Sequence, residues 1–176
     1  MKRAISQALV LLLFSAVAAT AVNLISPNAI PWIGDYPEID LDRSTPVVPP
    51  DAAEGDPPYI PWDVAKMDHQ AGALFVDARD PYEYRCGTIP GAINVPFDYL
   101  PEVEDLTDYF DSALGEVSKD HRIVVFCSGE ECDVSIHMAR NLQSFGYTNV
   151  VIFYGGSREW ERFSGDMEVR DEDCGE

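Results

Sequence analysis

Residues 124–135 read VVFCSGEECDVS. The apolar run begins one step earlier, as RIVVFC, and ends at Cys127. A small acidic loop with a second thiol, Cys132, follows. A helical pattern then opens at Val134 in VSIHMARNLQSFG and closes at Gly146. A strand apolar on both faces belongs in a buried parallel sheet. Working outward, ALFVDARD (73–80) and NVVIFYGG (149–156) are two more such strands, and VAKMDHQAG (64–72) is a short helix ended by glycine. LPEVEDLTDYFDSALGEV (100–117) carries Leu100, Val103, Leu106, Tyr109, Phe110 and Leu114 at helical spacing, with acids opposite, and SREWERF (157–163) is a last short helix. Strands alternating with helices predict an α/β fold, a central parallel sheet covered by helices through right-handed crossovers.

Open α/β sheets place their chemistry at the carboxyl ends of strands. Cys127 is at such an end, before a helix N-terminus, where backbone N–H groups favour an anion and lower a thiol's pKa. That position suits a nucleophile or a sulfur carrier, although a free cysteine is as often a small buried hydrophobe. The loop residues Ser128, Gly129, Glu130, Glu131, Asp133, Val134 and Ser135 surround it, with Cys132 as a second, resolving thiol. A zinc site from Cys127, Cys132 and His137 lacks a fourth ligand and the C-x2-C spacing, so no metal is expected. His69 and His121 read as surface residues. Trp62, Phe97, Tyr99 and Trp160 read as core and lid. Cys86, in a turn, is free to pair with Cys174 if the tail folds back.

The chain has 176 residues, a hydrophobic fraction of 46% and a formal net charge of −19. This is enough for one packed core. The negative charge excludes nucleic acid and anionic head groups as partners and favours a basic protein. Residues 1–25 carry Lys2 and Arg3, then no charge through Ile25. They form an apolar helix that is either a secretory signal, with Ala19-Thr20-Ala21 as a cleavage pattern, or a membrane anchor over residues 5–25. Either reading exports the remainder to the periplasmic or another extracytoplasmic side. Residues 26–57 are proline-rich and acidic, a semi-rigid spacer in which Trp32 and Ile33 suit a membrane interface. Residues 58–165 form the globular domain, and 166–176 an acidic, frayed tail.

FVDARDPYEYRCGTIPGAINVP, then VVFC with its loop and helix, then GYTNVVIFYGGSREW resemble, in order, the opening, active-site and closing segments of rhodanese-like domains. The resemblance implies a three-layer rhodanese-like fold, no cofactor, and a persulfide carried by Cys127. It also implies a structural pair in Asp77 and Arg79, an ion pair tying strand to loop. The loop departs from the family: it is two residues longer, contains Glu130, Glu131 and Asp133, and has no cation, while Thr88 stands where many members have histidine. These acids oppose a dianion such as thiosulfate, and without an arginine clamp the loop does not suit phosphatase chemistry. Two functions follow from the resemblance. One is sulfur transfer or thiol redox chemistry at Cys127, with a sulfur donor, an acceptor or a thiol protein as partner. The other is a catalytically silent module that binds a partner protein.

Overall fold

A computed structural model describes residues 7, 11–15, 20, 22–23, 44–50, 52–115, 117–130, 132–171 and 174. The chain divides into two units, Met1–Leu41 and Asp42–Glu176. In the first, residues 11–15 are helical, with Leu11 to Phe14 exposed. Among the described residues no helix is long and apolar enough to cross a membrane. Most of the expected signal or anchor, together with Trp32 and Ile33, lies outside them.

The second unit is built on four parallel strands: β1 (Leu74–Asp77), β2 (Ile93–Asn94), β3 (Ile123–Phe126) and β4 (Val150–Phe153). Their order is β2-β1-β3-β4. Phe126 of β3 is in register with Asp77 of β1 and with Phe153 of β4, so three strand ends align. Side chains alternate along β3. Ile123 and Val125 face one core with Phe110, Met138 and Leu142; Val124 and Phe126 face the other with Trp62, Phe75 and Trp160. Helices α3 (Leu106–Ala113) and α4 (Val134–Ser144) cover the first face. Helices α1 (Trp62–Gln70) and α5 (Gly156–Ser164) cover the second. The expected three-layer α/β architecture is therefore observed.

Several expectations are corrected. Helix α2 (Pro81–Cys86) was not anticipated. Asp80 caps it by accepting from Tyr82 N and Glu83 N, and Pro81 supplies its first residue. Cys86 therefore ends a helix and is not in a turn. The helix expected over 100–117 is shorter, because Pro101 holds Leu100 extended. Short 3-10 turns at Phe97–Tyr99 and Val103–Asp105 precede α3, and Val103 is exposed. His69 is half-buried between Phe75 and Trp160, with Nε2 2.7 Å from Pro90 O. Trp62 and Trp160 are core, as expected, whereas Tyr99 is exposed.

Both flanks of the domain are more ordered than composition suggests. The spacer's last part docks: Pro49 is buried, Val47 packs against the core, and Pro58 and Ile60 exchange backbone hydrogen bonds with Ile152 of β4. The tail is not frayed over its described residues. Thr88 and Glu168 form an antiparallel bridge, Arg170 N and Asp171 N donate to Arg85 O, and Cys174 is disulfide-bonded to Cys86.

Asp56 anchors the spacer. Its carboxylate accepts from Arg140 Nε at 2.6 Å and Nη2 at 2.8 Å, and from Ala53 N and Tyr59 Oη. The Arg140 hydrogen bonds, opposed by burial, hold its carboxyl down at about 2, from 3.8. A depressed folded pKa stabilises above the unfolded pKa and is lost as pH falls through the folded one. Arg140 is 39% exposed, so the full linkage value is discounted. Asp56→Asn is expected to cost about 1–2 kcal/mol at pH 7. The difference from wild type should shrink between pH 4 and pH 2, as followed by urea unfolding across that window.

Candidate active site

Strand order reverses between β1 and β3, since one crossover leads to each side of β1. Ligand sites of open α/β sheets lie outside the carboxyl ends at such a switch point. Two segments meet there: Asp77-Ala78-Arg79 after β1 and Cys127 after β3, joined by Ala78 N donating to Phe126 O at 3.0 Å.

Cys127 is fully buried. Cys132, half-buried, is paired with it in a disulfide, with the Cα atoms 6.3 Å apart. The intervening segment is a turn in which Cys132 N donates to Gly129 O at 2.9 Å. Glu131 lies outside the described residues; Glu130 and Asp133 are exposed on the loop. Asp133 precedes α4 without a side-chain cap, Val134 opens the helix, and Ser135 is fully buried, its hydroxyl without a hydrogen-bond partner among the described residues.

The loop is held from the far side by the segment after β4. Ser157 N donates to Cys127 O at 2.8 Å, Arg158 N donates to Ser128 O at 3.2 Å, and Tyr154 Oη donates to Glu130 O. The first turn of α5 thus spends its N–H groups on the carbonyls of the cysteine loop. Gly156 has φ 63°, and a Cβ there would fall on the Cys127 carbonyl oxygen and lie 2.8 Å from Gly129 N. Only glycine fits both the left-handed backbone and that approach. A Cβ on Gly155 would instead meet the Glu159 side chain, whose carboxylate is flexible but whose Cβ, at 2.9 Å, is not.

The second support is a buried ion pair. Arg79 donates from Nε to Asp77 Oδ1 at 2.9 Å and from Nη2 to Oδ2 at 2.6 Å, and Nη2 also donates to Gly87 O at 2.7 Å. Thr88 Oγ1 donates to Asp77 Oδ2 at 2.8 Å. Asn94 Nδ2 donates to the carbonyls of both Asp77 and Arg79. With both charges buried, the pair is satisfied throughout and ties β1, β2 and the loop at 87–88 into one frame.

The site's outer surface is acidic. Burial, then the negative charge of Glu130, pushes the Glu159 carboxyl up, so these two acids share one region. His137 does not turn toward the cysteines as a ligand; it stacks on Phe97 at 5.5 Å and lies 3.6 Å from Asp133 Oδ2. Among the described residues no cluster of His, Cys, Asp or Glu is suited to a metal ion.

Residues 61–163 match the family model of the rhodanese-like domain. The chain belongs to the rhodanese-like domain family. It is 31% identical over 113 residues to a tRNA uridine(34) hydroxylase of Bdellovibrio bacteriovorus, covering 62% of this chain and 29% of that one. It is 29% identical over 102 residues to a thiosulfate:glutathione sulfurtransferase of Saccharomyces cerevisiae, covering 56% of this chain and 71% of the relative. The chain thus spans under a third of the hydroxylase. The solved structure of a persulfide form of EanB with ergothioneine shares the fold at TM-score 0.52 and 18% identity, over 61% of this chain and 27% of that one.

The structure brings the expected Cys127, Cys132 and their loop together and pairs Asp77 with Arg79. The sequence alone did not mark Asn94 on β2, Tyr154 just after β4, or Ser157, Arg158 and Glu159 on α5 as part of the site. The GG pair was the one signal, since paired glycines after a strand mark a close backbone approach. Gly156→Ala is expected to destabilise the domain by about 3 kcal/mol or more and to displace the cysteine loop. Gly155→Ala should cost less, about 1–2 kcal/mol, because the Glu159 carboxylate swings aside and only its Cβ has to give. Thermal unfolding of the two variants, with the alkylation rate of reduced Cys127, checks the contrast; equal losses would refute it.

Proposed function

We propose that this rhodanese-like domain moves sulfane sulfur, or exchanges thiol and disulfide, through Cys127 with Cys132 as its resolving partner. The observation that carries the reading is the pairing of Cys127, at the end of β3 and at the switch point, with Cys132 across its own loop. Membership of a family that includes sulfurtransferases supports it. The yeast relative's name joins thiosulfate and glutathione; for this chain only the coarser class, a sulfane donor and a thiol acceptor, is proposed.

The cycle starts from the dithiol. The Cys127 thiolate attacks the outer sulfur of a donor, whose S–S bond breaks and leaves the electron pair on the departing anion. The persulfide then has two fates. An acceptor thiolate takes the terminal sulfur and returns the Cys127 thiolate. Alternatively the Cys132 thiolate attacks Cys127 Sγ, hydrosulfide leaves with the electron pair of the persulfide bond, and the disulfide forms. A dithiol reductant restores the pair at the cost of its own oxidation.

The test loads reduced protein with a sulfane donor and maps the added sulfur by peptide mass analysis. Wild type should carry it on Cys127, Cys127→Ser should carry none, and Cys132→Ser should hold the persulfide severalfold longer than wild type. Equal lifetimes would remove Cys132 from the mechanism. A wild-type protein that never loads would favour the silent module, a reading supported by the exposed Tyr99 and Val103 beside the exposed acids Glu102, Glu104, Asp105 and Asp108, a surface suited to a basic protein.

The domain is further proposed to act outside the cytoplasm, carried there by the N-terminal segment. Lys2 and Arg3 before an uncharged run, and the acidic remainder, support this placement. A reporter fused after Glu176 should be active on the extracytoplasmic side. Activity confined to the cytoplasm would reject the placement.

A further inference from the structure

Cys127 is fully buried and Cys132 half-buried, so Cys132 is the sulfur that an incoming thiol meets first. From its loop a chain of contacts leads to the turns after β2. Asp133 Oδ2 lies 3.6 Å from His137 Nε2, and the His137 ring stacks on Phe97 at 5.5 Å. Phe97 N donates to Ala78 O and Ala78 N donates to Phe126 O, both at 3.0 Å. The first of these turns, Phe97–Tyr99, is therefore hung on the strand end that carries Cys127.

The face beyond Phe97 differs from the rest of the domain. Tyr99 is 65% exposed and Val103 73%, the most exposed large apolar side chains of the second unit among the described residues. Exposed acids flank them along the chain: Asp98, Glu102, Glu104, Asp105 and Asp108. No lysine, arginine or histidine occurs from Cys86 to Ser118. Among the described residues none of these five carboxylates has an ion-pair partner. Acids elsewhere are answered: Asp56 by Arg140, Asp68 by Arg122, Asp111 by Lys119 and Glu168 by Arg170. Apolar side chains left in water inside a polar rim mark a protein-binding face. The uncompensated charge of this rim fits a basic partner. A second copy of the chain, at −19, brings the same charge and is repelled.

We propose that this face, with Tyr99 and Val103 at its centre and the five acids as its rim, docks a basic dithiol protein that reduces the Cys127–Cys132 pair. The inference rests on the thiol–disulfide reading above and names its partner. The rim steers the partner in, and the tyrosine supplies a rigid, amphipathic anchor. A thiolate of the docked partner attacks Cys132 Sγ. The Cys127–Cys132 bond breaks, and its electron pair stays on Cys127 as a thiolate. The partner's second thiolate then attacks the partner's own sulfur in the mixed disulfide. Cys132 leaves as a thiolate, and the partner departs oxidised to a disulfide.

The experiment follows reduction of the oxidised full-length chain by three probes: dithiothreitol, a lysine- and leucine-rich peptide with two cysteines, and the same peptide with glutamate for lysine. Each peptide rate is normalised to that peptide's rate with an uncharged aromatic disulfide. At low salt the basic peptide should react about tenfold or more faster than the acidic one, and about 0.5 M salt should remove most of the gap. Glu102→Gln/Glu104→Gln/Asp105→Asn should lower the basic-peptide rate about three- to tenfold. Tyr99→Ser/Val103→Ser should lower it about threefold or more. Both variants should leave the dithiothreitol rate within about twofold of wild type, which also reports an intact fold. A control that removes three charges elsewhere, Glu54→Gln/Asp120→Asn/Glu161→Gln, should lose less than about twofold with the basic peptide. Equal loss in the control, or no loss on changing Tyr99 and Val103, shows a diffuse field attracting any cation and overturns the proposal. Self-association of the chain that Tyr99→Ser/Val103→Ser abolishes, read by sedimentation, assigns the face to a second copy and overturns it too. In those cases the thiol–disulfide reading survives. A wild-type disulfide that none of the three probes opens defeats that reading, and this inference with it.

Discussion

The site depends on one close approach, the backbone of Gly156 against the carbonyl of Cys127. Two further holds on the cysteine loop follow from it. With no side chain at 156, the first turn of α5 reaches the loop and places the Ser157 and Arg158 N–H groups on consecutive carbonyls. These donors have no partner within their own helix. The loop carbonyls would otherwise be buried without one. Each side therefore satisfies a need of the other, and neither segment adopts this conformation profitably alone. The register of β3 with β4 makes the meeting possible, because Phe126 and Phe153 end level with each other.

The opposite wall is electrostatic. Taking Asp77 and Arg79 out of water costs several kcal/mol per ion, so the pair is tolerable only with its remaining hydrogen bonds made. Thr88, the Gly87 carbonyl and the Arg79 N–H complete them. This explains why the tail matters to a site it does not touch. Glu168 bridges Thr88, and Gly91 N donates to the Glu168 carboxylate. The strap thus fixes the loop that finishes the buried pair. That hydrogen bond from Gly91 also leads the effects that pull the Glu168 carboxyl below its usual range.

How much of this was legible in sequence follows from the range of the forces involved. The strands were legible because burial on both faces writes an uninterrupted apolar run. Cys127 was legible because the run stops there. The two-residue strand β2 was not, since Ile93 and Asn94 carry no period and pair only because β1 is already in place. Helix α2 is readable from Asp80-Pro81, a cap followed by a residue suited to the first helical position, although at six residues it is too short to show a helical period. The proline-rich spacer and the acidic tail were misjudged for one reason. Composition reports average solvation, whereas single partners decide docking: Arg140 for Asp56, and Arg85, Thr88 and Cys86 for the tail. The loop itself carries no cation between Cys127 and Ser135, and the first turn of α5 meets it through backbone N–H groups.

The two disulfides divide structure from chemistry. Cys86 and Cys174 are 88 residues apart in sequence and enclose β2 through α5, whereas Cys127 and Cys132 are 5 apart. In the chain-entropy account, closing the long loop restricts the unfolded chain by roughly 4–5 kcal/mol and closing the short one by about half that. The long-range bond is also backed by the tail's backbone hydrogen bonds to Arg85 and Thr88. The short bond joins two residues of one loop whose other contacts, from Tyr154, Ser157 and Arg158, engage carbonyls rather than sulfurs. Opening it leaves the frame standing and frees a thiol at the end of β3. The proposed cycling of the Cys127–Cys132 pair requires the fold to keep its stability elsewhere. Here that stability lies in the Asp77–Arg79 frame, the glycine contact and the distant bond to the tail.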